Sequence, residues 1–101
     1  MILYSVTINI DDIVHDEWLH WMKHKHIPDV IGTGLFQSYR MFKVLTTQAG
    51  ETGATYCVQY FLETIENYRD YLQKYAPALQ TEYNERYKDR YAAFRTVLEE
   101  V

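Results

Sequence analysis

The stretch Trp18-Leu19-His20-Trp21-Met22-Lys23-His24-Lys25-His26-Ile27-Pro28-Asp29-Val30 holds both tryptophans and three of the four histidines. At ~100° per residue, Val14, Trp18, Leu19, Trp21 and Met22 share one wide arc of a helix. Asp16, Glu17, His20, Lys23 and His24 fall opposite, and His15, Lys25 and His26 lie within or at the border of the apolar arc. Acidic Asp16 and Glu17 near the start and basic residues near the end suit the helix dipole. Asp11 or Asp12 supplies an N-cap. Pro28 disfavours the α conformation at Ile27, so the helix is expected to end near His26, before a reversal at Gly32-Thr33-Gly34.

Upstream, residues 2 to 10 alternate. Ile2, Tyr4, Val6, Ile8 and Ile10 form one apolar row, and Leu3, Ser5, Thr7 and Asn9 form the other. Period two with β-branched residues is a strand. Downstream, Leu35 to Thr46 reads as a second strand with large residues on both faces, so its facing stays open. Residues 47 to 53 form a polar, two-glycine hairpin loop, and residues 54 to 62 a third strand. Tyr56, Val58, Tyr60 and Leu62 share one face of that strand; Thr55, Cys57, Gln59 and Phe61 share the other. Thr64 is a plausible cap for a helix starting at Ile65. Pro77 implies a restart, with the proline in a first turn. The second helical piece is expected from about Ala78 to Arg90, with Leu79, Tyr83, Tyr87 and Tyr91 recurring every four residues. Ala92 to Glu99 alternates weakly and reads as a closing strand, with continued helix as the competing reading.

Strand, helix, strand, strand, helix, strand is the order of a ferredoxin-like α+β domain, with a four-stranded antiparallel sheet and both helices on one face. One such domain is expected over residues 1–101. The uncovered face would carry Leu3, Phe61 or Tyr60, Phe42 or Met41, and Val97 or Leu98, which is too apolar to leave in water. A second copy of the chain is the simplest cover. The pair would be a homodimer whose facing sheets enclose a small-molecule cavity.

Composition narrows the function classes. Ten tyrosines among the aromatics cover apolar surface while keeping polar tips, so much of the core lies near water or an interface. A formal charge of −4 and the absence of a basic stripe argue against nucleic acid. No apolar run approaches the ~20 residues of a membrane span. The N-terminal residues lack a basic region and a small-residue cleavage site, and Cys57 is the one cysteine. A soluble cytoplasmic protein without a signal peptide is expected.

The helix with Trp18-Leu19-His20-Trp21-Met22, followed by His26-Ile27-Pro28-Asp29-Val30 and Gly32-Thr33-Gly34-Leu35-Phe36, resembles the dimeric α/β-barrel superfamily. Antibiotic-biosynthesis monooxygenases, ether-degradation-type proteins and chlorite-dismutase-like haem proteins belong there. Within it, the chain is similar to a bacterial family of single-domain proteins of unknown function. The resemblance implies a homodimer with facing sheets but not an activity, because the superfamily hosts several chemistries.

His26 is the candidate catalytic residue: an imidazole at the apolar border, where the chain is expected to leave the helix, can act as a base or touch a ligand. Its bland role would be a helix C-terminal cap. His15 carries the same ambiguity. Asp16, His20 and His24 follow i, i+4, i+8 but share the polar face, so a solvated face and no metal site is expected. Ser5, Thr7 and Asn9 would face the barrel interior, joined by Arg40 or Tyr39, Gln59 or Tyr60, and Arg95 or Thr96. Thr7, Asn9, Arg40, Gln59 and Arg95 are the ligand-binding set this favours, with the arginines selecting an anion. An unpaired buried arginine is costly, so each needs an acid, a ligand or water. No residue reads as a dedicated haem ligand, and no cofactor is expected. The two competing functions are a small-molecule binder, acting as a cofactor-independent oxygenase or isomerase, and a non-catalytic dimer module.

Overall fold

Ile2, Tyr4, Val6, Ile8 and Ile10 are all buried, as the alternation of β1 (Ile2–Ile10) requires. The computed structural model describes residues 1–101. After β1 come a 3-10 turn (Asp12–Val14), α1 (His15–Trp21), a π turn (Met22–His26) and α2 (Ile27–Gly32). β2 (Ser38–Lys43), β3 (Ala54–Leu62), α3 (Ile65–Lys74), α4 (Ala76–Tyr87) and β4 (Tyr91–Glu99) complete the chain. The strands form one antiparallel sheet in the order β2-β3-β1-β4. This is the expected ferredoxin-like α+β architecture, and the closing segment is a strand.

Register assigns every strand face. Val6 stands opposite Val58 on one side and Arg95 on the other, and Val58 stands opposite Met41. Tyr39, Met41 and Arg95 therefore share the helix-covered face with Val6. Ser38, Arg40 and Phe42 share the open face with Gln59, Thr7 and Phe94. The open face stays apolar at Phe42 (46% exposed), Phe94 (64%) and Leu98 (46%).

The first helix departs from expectation. It does not end near His26; it runs through Pro28 to Gly32. Ile27 keeps an α conformation, and its N–H reaches back five residues to the Met22 carbonyl. A π turn holds one extra residue, so it turns everything downstream back by ~100°. Without that shift Ile27 and Val30 would lie on the far side of the helix from Trp18. With it, both are buried beside Trp18. Burying two branched side chains is worth roughly 1.5–3 kcal/mol each, which offsets the proline's disfavour of a helical Ile27. Thr33 ends the helix, its hydroxyl donating to the Val30 carbonyl at 2.8 Å.

The other elements shift less. β2 is shorter than the expected 35 to 46, because Phe36 turns inward against Tyr4, Tyr60 and Tyr71. Thr64 caps α3 by accepting from the Asn67 N–H, and Pro77 sits in the first turn of α4. α4 stops at Tyr87 rather than Arg90, and Asp89 takes a left-handed φ of 65° into β4.

Gly53 sits where the loop before β3 crosses β1. Its φ is +77°, and a Cβ there would lie 2.4 Å from the Ile10 carbonyl oxygen. Gly53→Ala should cost about 1–3 kcal/mol in urea unfolding. Gly32→Ala, with open space around its Cβ position, should be neutral or stabilising by about 0.5 kcal/mol.

Candidate functional site

The π turn that rescues Ile27 also aims His26 at the sheet. Its ring stacks on Trp21 (centroids 5.1 Å, 25° between planes) and meets the edge of Tyr83 (5.2 Å, 80°). His26 Nδ1 is sealed from solvent and has no hydrogen-bond partner. Burial holds the imidazole pKa down to about 4; Asp29 pulls it back up, while Arg95 and Lys25 push it further down. His26 is therefore neutral at neutral pH, with a ring nitrogen free to accept or give a proton.

His26 borders a cavity of about 160 Å³ between the sheet and the helices. β1 and β3 supply an apolar floor of Val6, Ile8 and Val58, and Met22 adds to the lining. α4 contributes Gln80, Tyr83 and Asn84; β4 contributes Tyr91 and Arg95. Exposed Asn84 and Arg95 mark the mouth. The Tyr83 hydroxyl accepts from Trp18 Nε1–H at 2.6 Å, and Tyr91 donates its hydroxyl proton to Asn84 Oδ1. Burial pushes the Tyr4 and Tyr83 phenols up, so both stay protonated. Arg95 Nε–H donates to the Tyr4 hydroxyl at 3.1 Å, and no carboxylate lies within 4.0 Å of its guanidinium.

The expected ligand set is split by the sheet. Thr7, Asn9, Arg40 and Gln59 share the open face, where Arg40 stands opposite Gln59. Arg95 is on the helix side with His26, so it does not join the Thr7 row. A single cavity beside Thr7, Asn9 and His26 does not form, because alternate residues of β1 point to opposite faces. Asn9 is engaged already: its amide donates to the Thr52 carbonyl and to Thr55 Oγ1, both at 3.0 Å. Sequence spacing does not single out Gln80, Tyr83, Asn84 and Tyr91 as cavity residues. The four-residue spacing of Tyr83, Tyr87 and Tyr91 was the available signal, but it marks packing equally well.

The remaining histidines play other parts. His15 Nε2 pairs with the Tyr56 hydroxyl at 2.6 Å. His20 and His24 are exposed and stack on each other at 4.1 Å, with His24 Nδ1 on the His20 carbonyl. No group of three or more His, Cys, Asp or Glu side chains is placed to hold a metal ion, and no helix is long and apolar enough to cross a membrane.

An antiparallel four-stranded sheet roofed by helices on one side, with a pocket between the two layers, defines a ferredoxin-like α+β fold. The chain belongs to the family described as Domain of unknown function (DUF4286), which it matches over residues 1–101. No curated protein sequence matches it. Among solved structures it is similar to HapK from Hahella chejuensis (11% identity, TM-score 0.73, covering 100% of this chain and 93% of that one). It is also similar to the heme-degrader MhuD from Mycobacterium tuberculosis, solved with two hemes bound in its active site (15%, 0.67, 100% and 96%). A third is an ethyl tert-butyl ether d (EthD) family protein from Bacillus halodurans (10%, 0.68, 100% and 100%). At these identities the likeness establishes the fold.

Proposed function

We propose that this protein binds a small aromatic or anionic molecule in the cavity beside His26, and that His26 serves there as an acid–base group. One observation carries this: a neutral imidazole and a guanidinium without a carboxylate partner border the same cavity. Arg95 at the mouth, free of any carboxylate, suits the anionic end of such a molecule. Proton transfer between the ligand and His26, with the negative charge held by Arg95, is the chemistry of a cofactor-independent oxygenase or isomerase. Heme does not follow from the likeness to MhuD. About 160 Å³ is below the ~300 Å³ at which ordinary ligand pockets begin, and no porphyrin enters it.

Benzoate and its neutral isostere benzamide test the reading, followed by tryptophan fluorescence and the His26 ring resonances. Benzoate is expected to move both signals. Arg95→Met should weaken benzoate about ten- to a hundredfold and leave benzamide unchanged, since a charge-assisted bond is worth about 1.5–3 kcal/mol. Neither probe perturbing His26 at millimolar concentration would favour the alternative, a non-catalytic dimer module.

The open sheet face supports a second part of the proposal, pairing of two copies into a homodimer. Phe42, Phe94 and Leu98 form an exposed apolar surface that the helices leave bare. Thr7, Arg40 and Gln59 would then line the seam as a further place for a polar ligand. Sedimentation equilibrium at micromolar concentration should show a dimer, and Phe94→Glu should shift it to monomer. A wild-type monomer would remove this part and leave the His26 cavity standing. Cys57 is a free thiol, which supports a reducing, cytoplasmic setting.

A further inference from the structure

We infer that Tyr83 and Tyr91 limit the cavity to ligands with a single six-membered ring, so that they, and not His26 or Arg95, determine which ligand sizes enter. The inference rests on the reading that the cavity takes a ligand.

The volume gives the first support. A cavity near 150 Å³ lined by apolar side chains accommodates benzene, and this one measures about 160 Å³. A fused second ring therefore either displaces a wall or projects out through the mouth at Asn84 and Arg95.

The walls differ in how far they can yield. Val6, Ile8 and Val58 belong to the two central strands and are buried in the core. The Tyr83 and Tyr91 rings meet edge to face, with centroids 4.7 Å apart and planes at 66°. Each is also tethered at its hydroxyl. Tyr83 is held by Trp18, itself buried, and meets Trp21, His26 and Tyr87 through its ring. Swinging it out would break a buried hydrogen bond and several aromatic contacts, each worth about 0.5–1.5 kcal/mol. Tyr91 is half-buried, begins the edge strand β4, and is tied to Asn84, which is exposed. Tyr83 is thus the fixed wall and Tyr91 the outer one, which substitution can remove with less harm to the core.

The experiment compares benzoate, 1-naphthoate and hemin on the wild type and on Tyr91→Ala, with Tyr91→Leu as a second variant in case alanine unfolds the chain by circular dichroism. The wild type is expected to bind benzoate at least tenfold more tightly than 1-naphthoate, and hemin should not displace benzoate. Shortening Tyr91 should raise 1-naphthoate affinity at least tenfold and abolish the preference for one ring. Equal wild-type affinities, displacement of benzoate by hemin, or an unchanged ratio in both folded variants overturns the size limit while leaving the cavity as a binding site. If none of the three probes binds any of the proteins, the cavity reading fails and takes the size limit with it.

Discussion

Trp18→Ala is expected to destabilise the protein by about 3–5 kcal/mol, the loss typical of a large aromatic removed from a packed core. Trp18 is 0% exposed and packs on Tyr56 with ring centroids 5.2 Å apart. Its Nε1–H is also the hydrogen-bond donor to Tyr83, so the change empties core volume and releases a wall of the cavity together. A domain of this size has about 5–15 kcal/mol in total, so the variant should populate the unfolded state under mild conditions. Trp18→Phe separates the two effects. It keeps most of the ring volume but leaves the Tyr83 hydroxyl without its donor, which should cost about 1–3 kcal/mol. Urea unfolding reads both variants. A loss below 1 kcal/mol for Trp18→Ala would contradict the placement of this residue at the centre of the core.

Acid should weaken the fold through His26. Its imidazole titrates near about 4 when folded, against 6.5 for an ordinary histidine. Between those values the unfolded chain binds the proton and the folded chain does not, so stability rises with pH across that window. Lowering the pH from 7 to 4 should remove about 3 kcal/mol from this group alone. Below about 4 both states are protonated and this contribution goes flat. Carboxylates titrate in the same region, so the diagnostic is a comparison of unfolding curves with His26→Phe, which keeps a ring against Trp21. The variant should lose the part of the slope lying between pH 6.5 and 4.5. An identical slope in both proteins would mean that His26 binds its proton equally well folded and unfolded, which would contradict the depression of its pKa by burial.

These two expectations meet at the first helix, where local and tertiary information diverge most. Proline chemistry alone argued for an end near His26. The helix continues instead, because a π turn carries Ile27 and Val30 into the core and their burial outweighs a local preference. The same turn gives His26 its buried, unpaired nitrogen, so its border position was legible from spacing while its neutrality was not. Arg95 makes a similar point. The weak alternation of residues 92 to 99 leaves the facing of that strand open, with Arg95 or Thr96 beside Thr7. Moving the register by one residue exchanges the faces, and pairing of Val6 with Arg95 puts its side chain on the helix side of the sheet.

The amino-acid sequence by itself determined the element order, the apolar row of β1, the Thr64 cap and the restart at Pro77. Each of these rests on period, backbone restriction or a side chain's reach to its own neighbours. Only the tertiary structure decided the facing of β2 and β4, the passage of the first helix through Pro28, and the meeting of His26, Tyr83, Tyr91 and Arg95 around one cavity. Those outcomes depend on burial shared among segments far apart in the chain, and no local stretch holds that energy.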